Sequence, residues 1–118
     1  TKSTEIIYGL RNFVGNANKF SKKEVNIILM SDKKYTEIIV KDDGPGFPKD
    51  LIEKFKLGEP YIRSASDKNI SKYGLGLGTF IGKTLLEKNY ANISFHNSEE
   101  NKGAEVRIKW KNTNLIKI

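Results

Sequence analysis

The chain has 118 residues, 37% of them hydrophobic and 30% charged, as is typical of one globular domain with its own core. It has no cysteine, which excludes disulfides and thiolate metal sites, and no apolar run of the roughly 20 residues that a membrane span needs. The net charge of +7 invites a nucleic-acid interpretation, but the lysines are scattered and no strand repeats the exposed aromatics of a base-stacking surface. We therefore interpret the charge as a lysine-rich solvated surface.

Apolar residues recur at helical spacing in the first part of the chain and predict an amphipathic helix over residues 4 to 20. At about 100° per residue, Asn12, Asn16 and Lys19 share one narrow sector, which we expect roughly opposite the apolar stripe. An amide oxygen is a hard ligand suited to Mg²⁺, and a lysine can place charge near phosphates. We interpret the sector as a ligand-binding face, against the alternative of a solvated polar face.

Residues 25–30 and 35–41 are rich in β-branched side chains and predict a hairpin. The second strand runs directly into Asp42-Asp43-Gly44-Pro45-Gly46. Its glycines allow positive φ and close approach of a ligand, and the Asp42 carboxylate can accept a hydrogen bond from an exocyclic amine such as that of adenine. The alternative is an ordinary hairpin turn on Asp43-Gly44, but the residues that follow do not return as a strand.

A short helix is expected at residues 49–55 and a polar loop at about residues 58–73, a length typical of a functional lid or of disorder. Gly74-Leu75-Gly76-Leu77-Gly78 then precedes a helix predicted over residues 78–88. Free backbone N–H groups at a helix N-terminus, reached through glycines, favour phosphate binding. The spacing fits neither the dinucleotide fingerprint nor a P-loop, and alone it would suit a flexible hinge equally well.

Residues 92–96 and 104–110 alternate between apolar and polar side chains and predict a second hairpin. The fold class is therefore α+β, with helices layered on a mainly antiparallel sheet, in one domain over residues 1–118. The single histidine, His96, is interpreted as an exposed strand residue rather than as a catalyst or phosphoryl acceptor. No catalytic triad or metal-ligand spacing accompanies it.

Together the motifs resemble the ATP-binding catalytic domain of sensor histidine kinases, within the GHKL superfamily of gyrase, Hsp90, MutL and these kinases. Residues 12–20 resemble the N box, residues 42–46 the G1 box and residues 74–78 the G2 box, in the family's order. Two further segments, 57–61 and 80–87, are most similar to RegB/PrrB-type redox-responsive kinases. The resemblance covers nearly the whole chain.

The resemblance implies a Bergerat fold: a two-layer α/β sandwich, its mixed, mainly antiparallel sheet covered on one face by helices, with a mobile ATP lid at about residues 58–73. It implies ATP and Mg²⁺ as cofactors, with Asn16 as metal ligand, and a catalytic group of Asn16, Lys19 and Asn12. The nucleotide contacts that it implies are Asp42, Gly44, Gly46, Tyr61, Arg63, Lys72, Gly74, Leu75, Gly76, Leu77 and Gly78.

Three positions bear on how far the resemblance carries. Gly58 stands where the F box begins with phenylalanine, so lid packing is expected to differ. Ala104 stands where many members have threonine, which removes a hydroxyl near the adenine. Asn12 stands where hydrolytic members carry a glutamate that activates water, and an amide cannot act as a base. The last difference favours transfer to a protein acceptor over hydrolysis.

The implied function is therefore that of a histidine kinase domain presenting the γ-phosphoryl of Mg-ATP to a histidine on a separate dimerisation domain, which this chain lacks. A response regulator is the indirect partner, and no nucleic acid is expected. The isolated domain is expected to be monomeric, and the full-length protein a homodimer with this domain in the cytoplasm, below an inner-membrane sensor. Two alternatives stay open: a GHKL-type protein serine kinase or anti-sigma regulator, and a pseudokinase module that binds ATP without transfer.

Overall fold

The structure is a computed structural model, and it describes residues 2–47, 77–99 and 103–115. Its helices are α1 (Lys2–Phe20), α2 (Leu77–Lys88) and the short α3 (Asn112–Leu115), and its strands are β1 (Val25–Ser31), β2 (Tyr35–Asp42), β3 (Asn92–Asn97) and β4 (Ala104–Lys111). The four predicted strands and the two long helices are confirmed, and α3 was not anticipated. The helix expected at 49–55 and the lid at about 58–73 lie outside the described residues.

The four strands form one sheet in the order β1-β2-β4-β3, and each described pairing is antiparallel. Strand β4 therefore lies between β2 and β3, although it follows both in the chain. Val40 pairs with Val106, and Val106 pairs with Phe95, so these three side chains form a row across the same face of the sheet. The predicted α+β class, with helices layered on a mainly antiparallel sheet, is confirmed.

The core lies between this face and helices α1 and α2. Strand β4 shows the alternation clearly, because Val106, Ile108 and Trp110 are buried while Arg107 and Lys109 are exposed. These residues pack in one cluster with Phe13, Leu86 and Ala91. The Trp110 indole N–H donates to the backbone carbonyl of Asn89 at 3.0 Å, so its buried polar atom is satisfied.

Helices α1 and α2 approach each other closely at two glycines. A Cβ atom on Gly9 would lie 2.9 Å from Cγ of Leu86 and 3.2 Å from the carbonyl oxygen of Gly82. A Cβ on Gly82 would lie 2.9 Å from the Phe13 ring. The pair of glycines thus brings the middles of α1 and α2 close together, and the start of α2 meets the C-terminal part of α1 at the hydrogen bond between Asn16 and Thr79.

Strand β1 is the least covered element of the described sheet. It lies at one edge, and the exposed fractions of Ile27 and Leu29 reach 57% and 70%. Both residues pair with inward-facing positions of β2, so they extend the apolar face past the helices. Among the described helices, none combines the length and the hydrophobicity that a bilayer crossing requires.

Candidate nucleotide-binding site

A cavity opens between α1, the end of β2, the start of α2 and strands β3 and β4. Its empty space, including the part open to solvent, is about 520 Å³. Its lining is mostly apolar, with a few polar groups that converge on it. The residues that line it are Phe13, Asn16, Ala17, Phe20, Val40, Asp42, Pro45, Gly46, Phe47, Thr79, Phe95, Ala104 and Val106. Such a combination is typical of small-molecule sites.

Asp42 is the charged residue of this lining, and it is 5% exposed. Its Oδ1 atom accepts hydrogen bonds from the backbone N–H groups of Gly44 at 2.8 Å and Ala104 at 3.2 Å. Its Oδ2 atom accepts no hydrogen bond from any residue in the described parts of the chain. A buried carboxylate oxygen without a donor is energetically costly, so this atom is suited to accept a hydrogen bond from a ligand.

The glycines of the Asp42 turn have different tasks. Gly44 is buried, and a Cβ on it would lie 2.3 Å from the carbonyl oxygen of Phe20, so the turn packs against the end of α1. Gly46 has a φ of 82°, which side chains disfavour, and it lines the cavity. Gly46 thus lies where the predicted contact with a ligand requires it, and that contact stays a prediction, whereas Gly44 lies outside the lining and shapes the turn.

Asp43 joins the same turn to the residues after α1. Its Oδ1 accepts the backbone N–H of Lys22 at 2.6 Å, and its Oδ2 accepts that of Lys23 at 3.0 Å. The hydrogen bond from Lys23, followed by those from Lys22 and Glu24, lowers the pKa of Asp43 against the raising effect of desolvation. Asp43 therefore has a structural reason for its place in the motif, which the sequence did not reveal.

The lowered pKa of Asp43 predicts an acid-dependent loss of stability. A carboxyl group with a folded-state pKa below its ordinary value of 3.8 stabilises the fold fully above about pH 4, and this contribution is lost as the pH falls further. The melting temperature of Asp43→Asn should therefore lie below that of the parent at pH 7, and this difference should be smaller at pH 3. The control Glu99→Gln changes an exposed residue, and its difference in melting temperature from the parent should not depend on pH in this way. If the difference for Asp43→Asn is the same at pH 3 as at pH 7, the Asp43 carboxylate does not stabilise the fold.

Asn16 lies at the border of the apolar face of α1. Its amide nitrogen donates to the hydroxyl of Thr79 at 3.2 Å, and Thr79 is 1% exposed. The amide oxygen accepts no hydrogen bond from a described residue, so it remains available to a ligand. The expectation that Asn16 lies roughly opposite the apolar stripe was wrong, because Asn16 lines the cavity together with Phe13 and Ala17 of that stripe.

The other two members of the predicted polar sector lie outside the cavity lining. The Asn12 amide donates to the carbonyl of Tyr8 at 2.9 Å, one turn back along α1. The Lys19 ammonium lies 5.6 Å from the centroid of the Phe20 ring. Each of them lies one turn of helix from Asn16, so the three share a side of α1, but of the three only Asn16 lines the cavity.

The G2 motif is described only at its end. Leu77 and Gly78 form the start of α2, beside the buried Thr79. The remaining predicted nucleotide contacts fall outside the described residues: Tyr61, Arg63, Lys72, Gly74, Leu75 and Gly76. The structure therefore brings Asp42, Gly46, Asn16 and the start of α2 together around one cavity.

Three aromatic rings form a wall of the cavity that sequence reasoning missed. The centroids of Phe47 and Phe95 are 5.6 Å apart in an edge-to-face arrangement, and those of Phe13 and Phe95 are 6.0 Å apart. Thr79, which also lines the cavity, was missed too. The rings come from three distant segments, and they meet because β4 pairs with both β2 and β3 and α1 packs on the sheet.

The chain matches one protein family along nearly all of its length. The family model described as histidine kinase-, DNA gyrase B-, and HSP90-like ATPase matches residues 1–114. Sensor histidine kinase RegB of Cereibacter sphaeroides is 33% identical over 133 residues, which cover 97% of this chain and 28% of RegB. Histidine protein kinase SaeS of Staphylococcus aureus is 33% identical over 89 residues, which cover 72% of this chain and 25% of SaeS.

Solved structures share the fold. The mycobacterial sensor histidine kinase MprB superposes with a TM-score of 0.72 at 24% identity, over 92% of this chain and 73% of that one. Full-length ShkA, solved in complex with AMPPNP, has a TM-score of 0.68 at 25% identity, over 90% of this chain and 21% of ShkA.

The resemblance deduced from the three motifs is thereby confirmed, including the similarity to RegB. The chain spans about a quarter of the length of the two curated relatives named above. It belongs to the family of histidine kinase-, DNA gyrase B- and HSP90-like ATPases.

Proposed function

We propose that the chain is the ATP-binding catalytic domain of a two-component sensor histidine kinase. Its family and the names of its relatives support this function. ShkA, of similar fold, was solved with AMPPNP, an analogue of ATP. The single observation that carries the proposal is the buried Asp42 carboxylate, which presents an oxygen without a described donor to a mostly apolar cavity.

Asp42 is proposed to select adenine. Its Oδ1 is occupied by two backbone N–H groups, which fix the carboxylate and leave Oδ2 for the ligand. Adenine offers an exocyclic amine as donor, whereas guanine offers a carbonyl oxygen at the same ring position and would repel the carboxylate. The rings of Phe47 and Phe95 supply apolar surface for a purine.

The phosphates are proposed to lie at the start of α2. Backbone N–H groups of the first helical turn attract anions, and Leu77 and Gly78 belong to that turn. Lys19 is proposed to add charge near them. The remaining proposed nucleotide contacts are Tyr61, Arg63, Lys72, Gly74, Leu75 and Gly76.

The donor set fits Mg²⁺ held mainly by the nucleotide. The described residues contain no cluster of three or more acidic or histidine side chains that could form a metal cage. Mg²⁺ commonly keeps several waters and binds through phosphates and one or two protein oxygens. The Asn16 amide oxygen is the proposed protein ligand, and the ion would neutralise charge on the phosphates during transfer.

Transfer to another protein domain fits the site better than hydrolysis or internal transfer. The Asn12 amide cannot take a proton from water. His96 is exposed on β3 and bonded to the hydroxyl of Ser94 at 2.9 Å, and it points to the sheet face away from the cavity. The acceptor is therefore proposed to be a histidine on the protein's own dimerisation domain.

The wider assignments follow from the same proposal. The whole protein is proposed to be a homodimer that passes the phosphoryl group on to a response regulator, with this domain, monomeric when isolated, in the cytoplasm. Residues 1–118 are proposed to form one domain, with the lid at about residues 58–73. A membrane-anchored sensor region is proposed for the rest of the protein.

Calorimetric titration with ATP and GTP, with and without Mg²⁺, tests nucleotide binding. We expect ATP to bind, GTP to bind much more weakly, and Mg²⁺ to increase the affinity for ATP. Radiolabelled phosphate transfer in the full-length protein then tests the reaction, and the product should be acid-labile phosphohistidine. An acid-stable phosphoserine would favour a serine kinase, binding without transfer would favour a pseudokinase, and no ATP binding would reject the proposal.

Replacing Asn16 with alanine should remove the benefit of magnesium. The parent should bind ATP more tightly with Mg²⁺ than without, and Asn16→Ala should lose most of this difference while its magnesium-free affinity stays near that of the parent. The control Asn18→Ala changes an exposed asparagine of the same helix and should behave like the parent. An undiminished effect of magnesium in Asn16→Ala would remove Asn16 as the metal ligand.

A further inference from the structure

Asn97, the last residue of β3, binds the backbone of a residue 50 positions away. The N–H of Phe47 donates to its Oδ1 at 2.7 Å, and its Nδ2 donates to the carbonyl of Phe47 at 2.9 Å. The backbone groups fix which end of the amide is which, because an N–H only donates and a carbonyl only accepts. The side chain thereby replaces the pair of hydrogen bonds that a neighbouring antiparallel strand would make.

This contact fixes the chain directly after Gly46, the residue of the Asp42 turn with a positive φ. Phe47 follows Gly46, whose positive φ belongs to a residue with wide conformational freedom. Without the two hydrogen bonds to Asn97, which we call the tether, the backbone of Phe47 could therefore take other directions. With both of its polar backbone groups bound to Asn97, Phe47 is held to the end of β3.

The tether also determines where an aromatic ring lies. Phe47 is partly buried, and its ring meets that of Phe95 edge to face at 5.6 Å in the cavity wall. Phe95 and Asn97 lie two residues apart, so both face the same side of β3. One strand thus holds the backbone of Phe47 and supplies the surface against which its ring packs.

We infer that Asn97 is a positioning residue of the purine pocket, acting through the backbone and ring of Phe47. This role rests on the proposed nucleotide-binding function. It concerns the base and not the phosphates, because the ring of Phe47 is proposed to contact the purine and the phosphates are proposed to lie at the start of α2. Replacing Asn97 should lower the affinity for adenosine, for ADP and for ATP by the same factor. It should leave the effect of Mg²⁺ on ATP binding unchanged.

Asn97→Asp is the most selective variant. It keeps an oxygen for the N–H of Phe47 and replaces the donating nitrogen with an oxygen that faces the Phe47 carbonyl. At an ionic strength that screens the added negative charge from the phosphates, we expect calorimetry to show about a three- to tenfold weaker affinity for all three ligands, the range for losing one hydrogen bond. The control His96→Gln changes the adjacent exposed residue on the other face of β3 and should bind as the parent does.

A double-mutant cycle with Phe47→Leu separates positioning from a general structural role. If Asn97 acts through the ring, Asn97→Asp should cause no further loss of affinity in the Phe47→Leu background. Additive losses would overturn the inference, as would an unchanged affinity of Asn97→Asp or a loss confined to ATP. If Asn97→Asp does not fold, Asn97→Ser takes its place with the same expectation. A parent that binds none of the ligands overturns the proposed function and the inference together.

Discussion

Asp42→Asn should lower the affinity for ATP about 10- to 100-fold, the loss expected for a hydrogen bond to a charged acceptor. The new side chain keeps an oxygen for the N–H groups of Gly44 and Ala104, which hold Oδ1 in the parent. At the position of Oδ2 it carries an amide nitrogen, which would face the exocyclic amine of adenine donor to donor. The same nitrogen can donate to the carbonyl of guanine, so the preference for ATP over GTP should fall sharply.

Calorimetry with both nucleotides and thermal melting without ligand measure this effect. The melting temperature should stay near that of the parent, because the two backbone contacts to Oδ1 persist. Glu37→Gln is the matched control, since it makes the same chemical change on the same strand at a position paired with Lys109 on the outer face. An Asp42→Asn variant with the parent's affinity and ATP preference would exclude Asp42 from base recognition.

Gly103→Ala should destabilise the fold by about 3 kcal/mol or more, a large part of the stability of a small domain. A Cβ at this position would lie 1.8 Å from the carbonyl oxygen of Asp42 and 2.7 Å from its carbonyl carbon. Both contacts are with backbone, so no side-chain rotation can relieve them. The strand β4 would have to move away from the end of β2, which would also stretch the hydrogen bond from Ala104 to Asp42.

Gly15→Ala is the matched control for this change. Apart from its chain neighbours and the backbone of its own helix, a Cβ on Gly15 meets no atom of the described residues within 4 Å, and the residue lies inside α1. The substitution should therefore raise stability by about 0.5–1 kcal/mol, because alanine favours a helix interior more than glycine does. Chemical denaturation of both variants measures the contrast, and equal stabilities would show that the Gly103 contact relaxes without cost.

The fold could be predicted from the sequence in segments where apolar residues repeat at one regular spacing, either that of a strand or that of a helix. Strand β4 alternates between buried and exposed residues, and α1 repeats its apolar positions at helical spacing, so both were predicted to within two residues. The order of strands in the sheet is not a local property. It depends on β4 entering between β2 and β3, which the periodicity of a single strand does not reveal.

The site was predictable where a residue type has a specific use. Asp42 lies at the end of a strand before a glycine-rich turn, and Asn16 lies on an amphipathic helix. Both positions suggest ligand contact, and the structure brings both residues to the cavity. Thr79 and Asn97 escaped prediction because each acts through a partner distant in sequence. Asn12 and Lys19 were grouped with Asn16 by helical angle alone, which gives a direction from the helix axis but no contact.

Strand β1, the least covered element of the described sheet, has a practical consequence for work with the isolated domain. Backbone groups along the outer edge of a sheet are open to pairing with another chain, and exposed side chains such as Ile27 and Leu29 favour such pairing. Concentrated samples are therefore at risk of aggregating edge to edge. A lysine in place of Leu29 would discourage this without touching the nucleotide cavity, since Leu29 is not among its lining residues.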